Sequence, residues 1–167
     1  TINSIQNSGE ADWTKDKGLL SIWLLGMFTP SPKTVVIIPF KGIDNARSFI
    51  TDNYFGVMPA DRLQVKDSVL FFTCDGKHRS KIGLAPNIAK PMAAGFDFEK
   101  NTLTLVLPTV YADAQYVNSK WEMQKEPYKG DAINSYNDGP LADGTQMGPF
   151  FEIESSSPAL ELKKGAT

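Results

Sequence analysis

The 167-residue chain is 41% hydrophobic and 22% charged, enough apolar material for one substantial core. A formal net charge of −2, with the basic residues spread along the chain, gives no electrostatic reason to expect nucleic-acid binding. No apolar stretch reaches the roughly 20 residues of a membrane-spanning helix, and a lone cysteine, Cys74, excludes an intrachain disulfide.

Eleven prolines, thirteen glycines and many short β-branched runs, with no long stretch at helical spacing, predict an all-β, antiparallel β-sandwich spanning residues 1–167. Leu19 to Met27 is apolar on both alternating faces, which predicts a central strand covered on two sides and ended by Thr29-Pro30-Ser31-Pro32. Thr34 to Phe40 follows as its expected antiparallel neighbour, and Asp44 to Asp52 as the one short helix. Val69 to Cys74, Asp75-Gly76, then Lys77 to Leu84 predicts a type I′ hairpin, because Asp-Gly favours positive backbone angles. Cys74 reads as a buried small hydrophobe. Thr102 to Leu107, ended by Pro108, and Gln115 to Glu122 are further expected strands. Pro127 to Met147, dense in Gly, Asp and Asn, reads as loop before a closing strand at Phe150. A first residue of Thr1 and a stop just after the strand-like Ala159 to Leu162 suggest a piece cut from a longer protein.

In the closing strand, Glu152 and Glu154 share one face while Phe151 and Ile153 take the other. Such a pair makes either the wall of a polar site or the solvated acidic face of an edge strand. Lys77, Arg79 and Lys81 likewise alternate on one face, opposite His78 and Ser80. That stripe suits a carboxylate, a phosphate or an array of sugar hydroxyls; equally, lysines discourage edge-to-edge pairing. One histidine and one distant cysteine make no recognisable zinc cluster. None of Ser155, Ser156 or Ser157 lies in a Gly-x-Ser-x-Gly elbow, and no phosphate loop or dinucleotide fingerprint is present.

Asn118, Trp121, Tyr128, Asp131, Asn134, Tyr136, Asn137, Asp138 and Asp143 precede the acidic pair. Amide, carboxylate and indole groups are what hydroxyl-rich rings require: planar hydrogen-bonding partners and an aromatic face for the C–H side. The same residues also serve turns, with Trp121 as a core anchor. Asp131, Asp138 and Asp143 are oxygen ligands for a calcium ion, although their spacing is not that of an EF-hand.

Five runs carry a family resemblance: Gly18 to Phe28, Asp52-Asn53-Tyr54-Phe55-Gly56, Arg79 to Gly83, Tyr136 to Pro140, and Glu152 to Ala159. They resemble an uncharacterised family of Bacteroidetes proteins that is placed with the galactose mutarotase-like supersandwich, and the chain resembles the C-terminal half of that domain. The resemblance implies an antiparallel sandwich with a carbohydrate site on its concave face. It implies a glutamate on a late strand as base, here Glu154 in preference to Glu152; the substrate-binding residues expected from the basic stripe and the amide, carboxylate and aromatic set are Arg79, Lys81, Asn118, Trp121, Tyr136, Asn137 and Asp138. In aldose 1-epimerases a histidine is the acid, and His78 does not match that pattern. The expected function is carbohydrate binding or processing, an enzyme being mutarotase-like; the alternative is a noncatalytic accessory domain. The resemblance further implies a missing N-terminal half as partner and a periplasmic or extracellular location.

Overall fold

The computed structural model describes residues 1–167. Ten strands form: β1 (Trp23–Phe28), β2 (Thr34–Pro39), β3 (Ile50–Thr51), β4 (Leu63–Lys66), β5 (Val69–Thr73), β6 (Ser80–Leu84), β7 (Ala93–Asp97), β8 (Thr102–Val106), β9 (Ile133–Asn137) and β10 (Phe151–Ser156). They make two five-stranded sheets, ordered β1-β10-β9-β6-β3 and β4-β5-β2-β7-β8, and every pairing is antiparallel. The expected all-β sandwich is therefore present. Its helices are two 3-10 turns, Lys15–Lys17 and Ala46–Phe49, and none is long and apolar enough to cross a membrane.

Alternation builds the core. Val36 and Ile38 of β2, with Leu70 and Phe72 of β5, face Ile82 and Leu84 of β6, Ile133 of β9, and Phe151 and Ile153 of β10. Burying each of these side chains stabilises the fold by roughly 1.5–3 kcal/mol before the entropy of ordering it is subtracted. Cys74 is fully buried in this cluster, and burial pushes its thiol well above the usual range. Because Ile153 and Phe151 point into the core, Glu152 and Glu154 emerge on the outer face of the first sheet.

Several local expectations are corrected. β1 is an edge strand paired with β10 and not a central strand beside β2; β2 lies in the other sheet between β5 and β7. An apolar run looks alike at an edge and at a centre when its outer face lines a partly hydrophobic site. The Val69 to Leu84 hairpin does not form, because β5 and β6 belong to different sheets. Gly76 has the expected positive φ of 71°, yet the turn carries the chain between sheets. Asn137 latches that crossover, accepting from the Gly76 N–H at 2.8 Å and donating to the His78 carbonyl at 2.9 Å. The hairpin of β5 is made with β4 instead, through Asp67 and Ser68 at φ 49° and 60°, positive at both central residues as a type I′ turn demands.

Gln115 to Glu122 forms no strand, only an isolated bridge from Tyr116 to Lys129. Conversely, the stretch read as loop contains β9, a buried central strand. Its core-facing polar residues disguise it, but they are paired: Ser135 donates to the Glu152 carbonyl at 2.7 Å and Asn137 holds the crossover.

Candidate functional site

Strand register sets the site. Glu152 pairs with Tyr136, which pairs with Lys81; one step along, Glu154 pairs with Asn134, which pairs with Gly83. Lys81 thus starts two strands from the acids on the same face and reaches diagonally across β9. Its Nζ donates to Glu154 Oε2 at 2.8 Å, and both side chains are almost wholly buried. From the other side, across β1, the Trp23 indole N–H donates to the same oxygen at 2.8 Å. Lys81 Nζ also lies 4.8 Å from the Trp23 ring and 5.2 Å from the Tyr54 ring, within cation–π range.

Gly83 leaves the space that completes this floor. A Cβ there would fall 2.0 Å from Asp131 Oδ2 and 2.5 Å from Asn134 Nδ2. Those groups hold Tyr54: its hydroxyl donates to Asp131 at 2.6 Å and accepts from Asn134 at 3.1 Å. Above the floor is an open cavity of about 420 Å³, walled by Trp23, Tyr54, Phe55, Trp121, Tyr136 and Phe150, with Arg79, Lys81, Glu152 and Glu154 among its polar groups. Arg79 is fixed at the rim. Its guanidinium stacks 3.9 Å above the Phe55 ring while Nε donates to the Tyr136 hydroxyl at 3.3 Å, and that hydroxyl donates to Asp138 at 2.9 Å.

The two acids differ. Glu154 Oε2 accepts from both Lys81 and Trp23, and its buried Oε1 has no hydrogen-bond partner. Burial first, then the Glu154 charge, pushes Glu152 up to about 7. Glu152, held well above the usual carboxylate range, faces the cavity, which makes it the carboxyl placed to exchange a proton. Glu154 acts as its fixed electrostatic neighbour.

Of the residues singled out from sequence, Glu152, Glu154, Arg79, Lys81, Trp121 and Tyr136 line the one cavity. Asn118 lines an adjoining recess that shares Trp23 and Trp121 with it. Asn137 is corrected to a core-facing latch, and Asp138 supports Tyr136 and accepts from the Gly148 N–H at 3.1 Å. Lys77 stays outside the cavity, as does His78, which lines a small recess behind Arg79. Trp121 is no core anchor: it is 93% exposed. Asp131, Asp138 and Asp143 are bound in separate networks with Tyr54, Tyr136 and Thr145, so no calcium-type cluster assembles from them.

Sequence reading missed Trp23, Tyr54, Phe55 and Phe150. Trp23 lay in a run apolar on both faces, where alternation carries no information about which side meets solvent. Tyr54 and Phe55 stood in one of the runs that carry the family resemblance, as an aromatic pair flanked by Asn53 and Gly56 just after β3, but nothing in the run itself pointed to this cavity.

The carboxyls make a pH prediction. Asp131, raised by burial to about 6, and Glu152, raised to about 7, bind a proton more tightly folded than unfolded. Between their unfolded values near 4 and these folded values the native state holds protons that the unfolded chain has released, so stability falls as pH rises. Asp97 works the other way: the hydrogen bond from Ser31 leads in lowering it to about 2, so its contribution is lost only in stronger acid. Thermal melts are expected to peak near pH 4–5 and decline toward pH 7. Glu152→Gln should flatten the upper part of that decline, and an unchanged slope would mean that Glu152 titrates normally.

The chain belongs to DUF6786, a family of unknown function that matches it over residues 1–167. No curated protein and no solved structure matches it.

Proposed function

We propose that the outer face of the β1-β10-β9-β6-β3 sheet binds a carbohydrate, as the resemblance to mutarotase-like proteins implies. The observation that carries the reading is the composition of one cavity: six aromatic side chains surround a buried Lys81–Glu154 pair and an exchangeable carboxyl, Glu152. Aromatic faces suit the C–H side of a sugar ring, and charged, fixed hydrogen-bonding groups suit its hydroxyls. Trp121 is the stacking platform, since so exposed an indole beside a cavity has little structural role.

Binding without turnover is the primary reading. Ring opening needs a base on the anomeric hydroxyl and an acid on the ring oxygen. Glu152 supplies one such group, Glu154 is locked by Lys81 and Trp23, and the only histidine lies outside the cavity. An epimerase would therefore run on Glu152, with Glu154 tuning it.

Saturation-transfer NMR against a panel of mono- and oligosaccharides tests the binding reading. Trp121→Ala is expected to weaken binding about tenfold, near 1.4 kcal/mol, with no change in melting temperature. No saturation transfer to any sugar would remove the proposal. Anomer exchange, followed in the same tubes, separates the two readings: acceleration over buffer that disappears in Glu152→Gln marks an enzyme, and buffer rates leave a binding module.

A further inference from the structure

The charges of the cavity do not balance evenly among its cations. Lys81 is neutralised by Glu154 at 2.8 Å, and Lys120 by Glu122 at 3.4 Å. Arg79 has no carboxylate within ion-pair distance: its one hydrogen bond is from Nε to Tyr136, and Asp138 is linked to it only through that hydroxyl. Both Asp138 oxygens are already occupied, by Tyr136 and by the Gly148 N–H. The guanidinium is nevertheless held still, stacked on Phe55 and tied along one edge. It stands where two hollows meet, the 420 Å³ cavity and a recess of about 320 Å³ beside Gly139, Thr145 and Gln146.

A rigid, half-buried guanidinium whose four terminal N–H donors have no protein acceptor is organised for a bidentate partner. We infer that the glycan taken by this site is acidic, with a carboxylate of a uronic acid unit seated on the Arg79 fork. Planar fork-to-fork pairing favours a carboxylate over a hydroxyl pair, because its two coplanar oxygens match the guanidinium edge and the ionised acceptor makes charge-assisted bonds roughly twice as strong as those to neutral hydroxyls. Lys81 cannot take this role, since its charge is committed to Glu154. The inference rests on the carbohydrate reading and adds to it the substrate's charge.

The test compares glucuronate, galacturonate, mannuronate and guluronate oligomers of one to four units with their methyl esters, which keep shape and hydroxyls but lose the charge. Calorimetric titration of the wild-type protein is expected to show an acid bound at least tenfold more tightly than its ester. In Arg79→Gln the ratio should fall to near one. Arg79→Lys keeps the charge without the planar fork and should leave an intermediate ratio, which holds the test open if the glutamine variant fails to fold. Equal affinity for acid and ester, an acid preference that survives in Arg79→Gln, or a stronger response to sulfated than to carboxylated sugars would each overturn the inference. Binding of neutral sugars alone would end it while leaving the carbohydrate reading intact; silence toward every sugar would end both.

Discussion

Glu154→Leu is expected to destabilise the protein by about 3–5 kcal/mol at neutral pH. The substitution leaves the Lys81 ammonium almost wholly buried without its carboxylate, and it takes from the Trp23 indole the acceptor at 2.8 Å. The remaining cation–π contacts with Trp23 and Tyr54 do not replace an ion pair. Two further outcomes identify the mechanism. Adding Lys81→Met to Glu154→Leu should recover most of the loss, because a buried pair stabilises little beyond the cost of desolvating its own two charges. Without the Glu154 charge beside it, Glu152 should also titrate lower, so the decline of stability toward pH 7 becomes smaller. Urea denaturation of the two single variants and the double variant across pH measures all of this. A loss below about 1 kcal/mol in Glu154→Leu, the range of solvent-exposed pairs, would show that the pair is hydrated.

Gly139→Ala should cost about 3 kcal/mol or more, at the upper end of overpacking effects. Its Cβ would fall 2.3 Å from the Arg79 backbone nitrogen and 2.5 Å from the His78 carbonyl carbon, so backbone and not a flexible side-chain tip must give way. The displaced segment enters β6 and bears Arg79, so ligand affinity should drop together with stability. Gly56→Ala is the control: with φ at 96° but nothing within 4 Å of the added methyl, it carries only backbone strain, about 1 kcal/mol. Chemical denaturation and sugar titration of both variants check the contrast, and similar losses in the two would argue against a close approach at Gly139.

The most legible part of the chain was its closing strand. Phe151 and Ile153 against Glu152 and Glu154 is a clean period-two pattern, and the structure puts the first pair in the core and the second on the site face. Arg79 and Lys81 were readable for the same reason, and Trp121 and Tyr136 by residue type. Strand partners were much less readable. Asp75-Gly76 has ideal hairpin chemistry and still links two sheets, because Asn137, some sixty residues along the chain, binds the crossover from β9. β9 itself was hidden by Ser135 and Asn137, polar residues that a core accepts only when distant groups satisfy them.

By itself the sequence determined the all-β class and which neighbouring residues share a strand face, since both follow from the local geometry of an extended backbone. Only the tertiary structure decided which strands lie side by side, and with that the site. Lys81, Trp23 and Glu154 come from three strands and meet at one carboxylate oxygen because β9 and β10 are inserted between β6 and β1. That order is set by burial and latching contacts between residues far apart in the chain, which short-range periodicity does not encode.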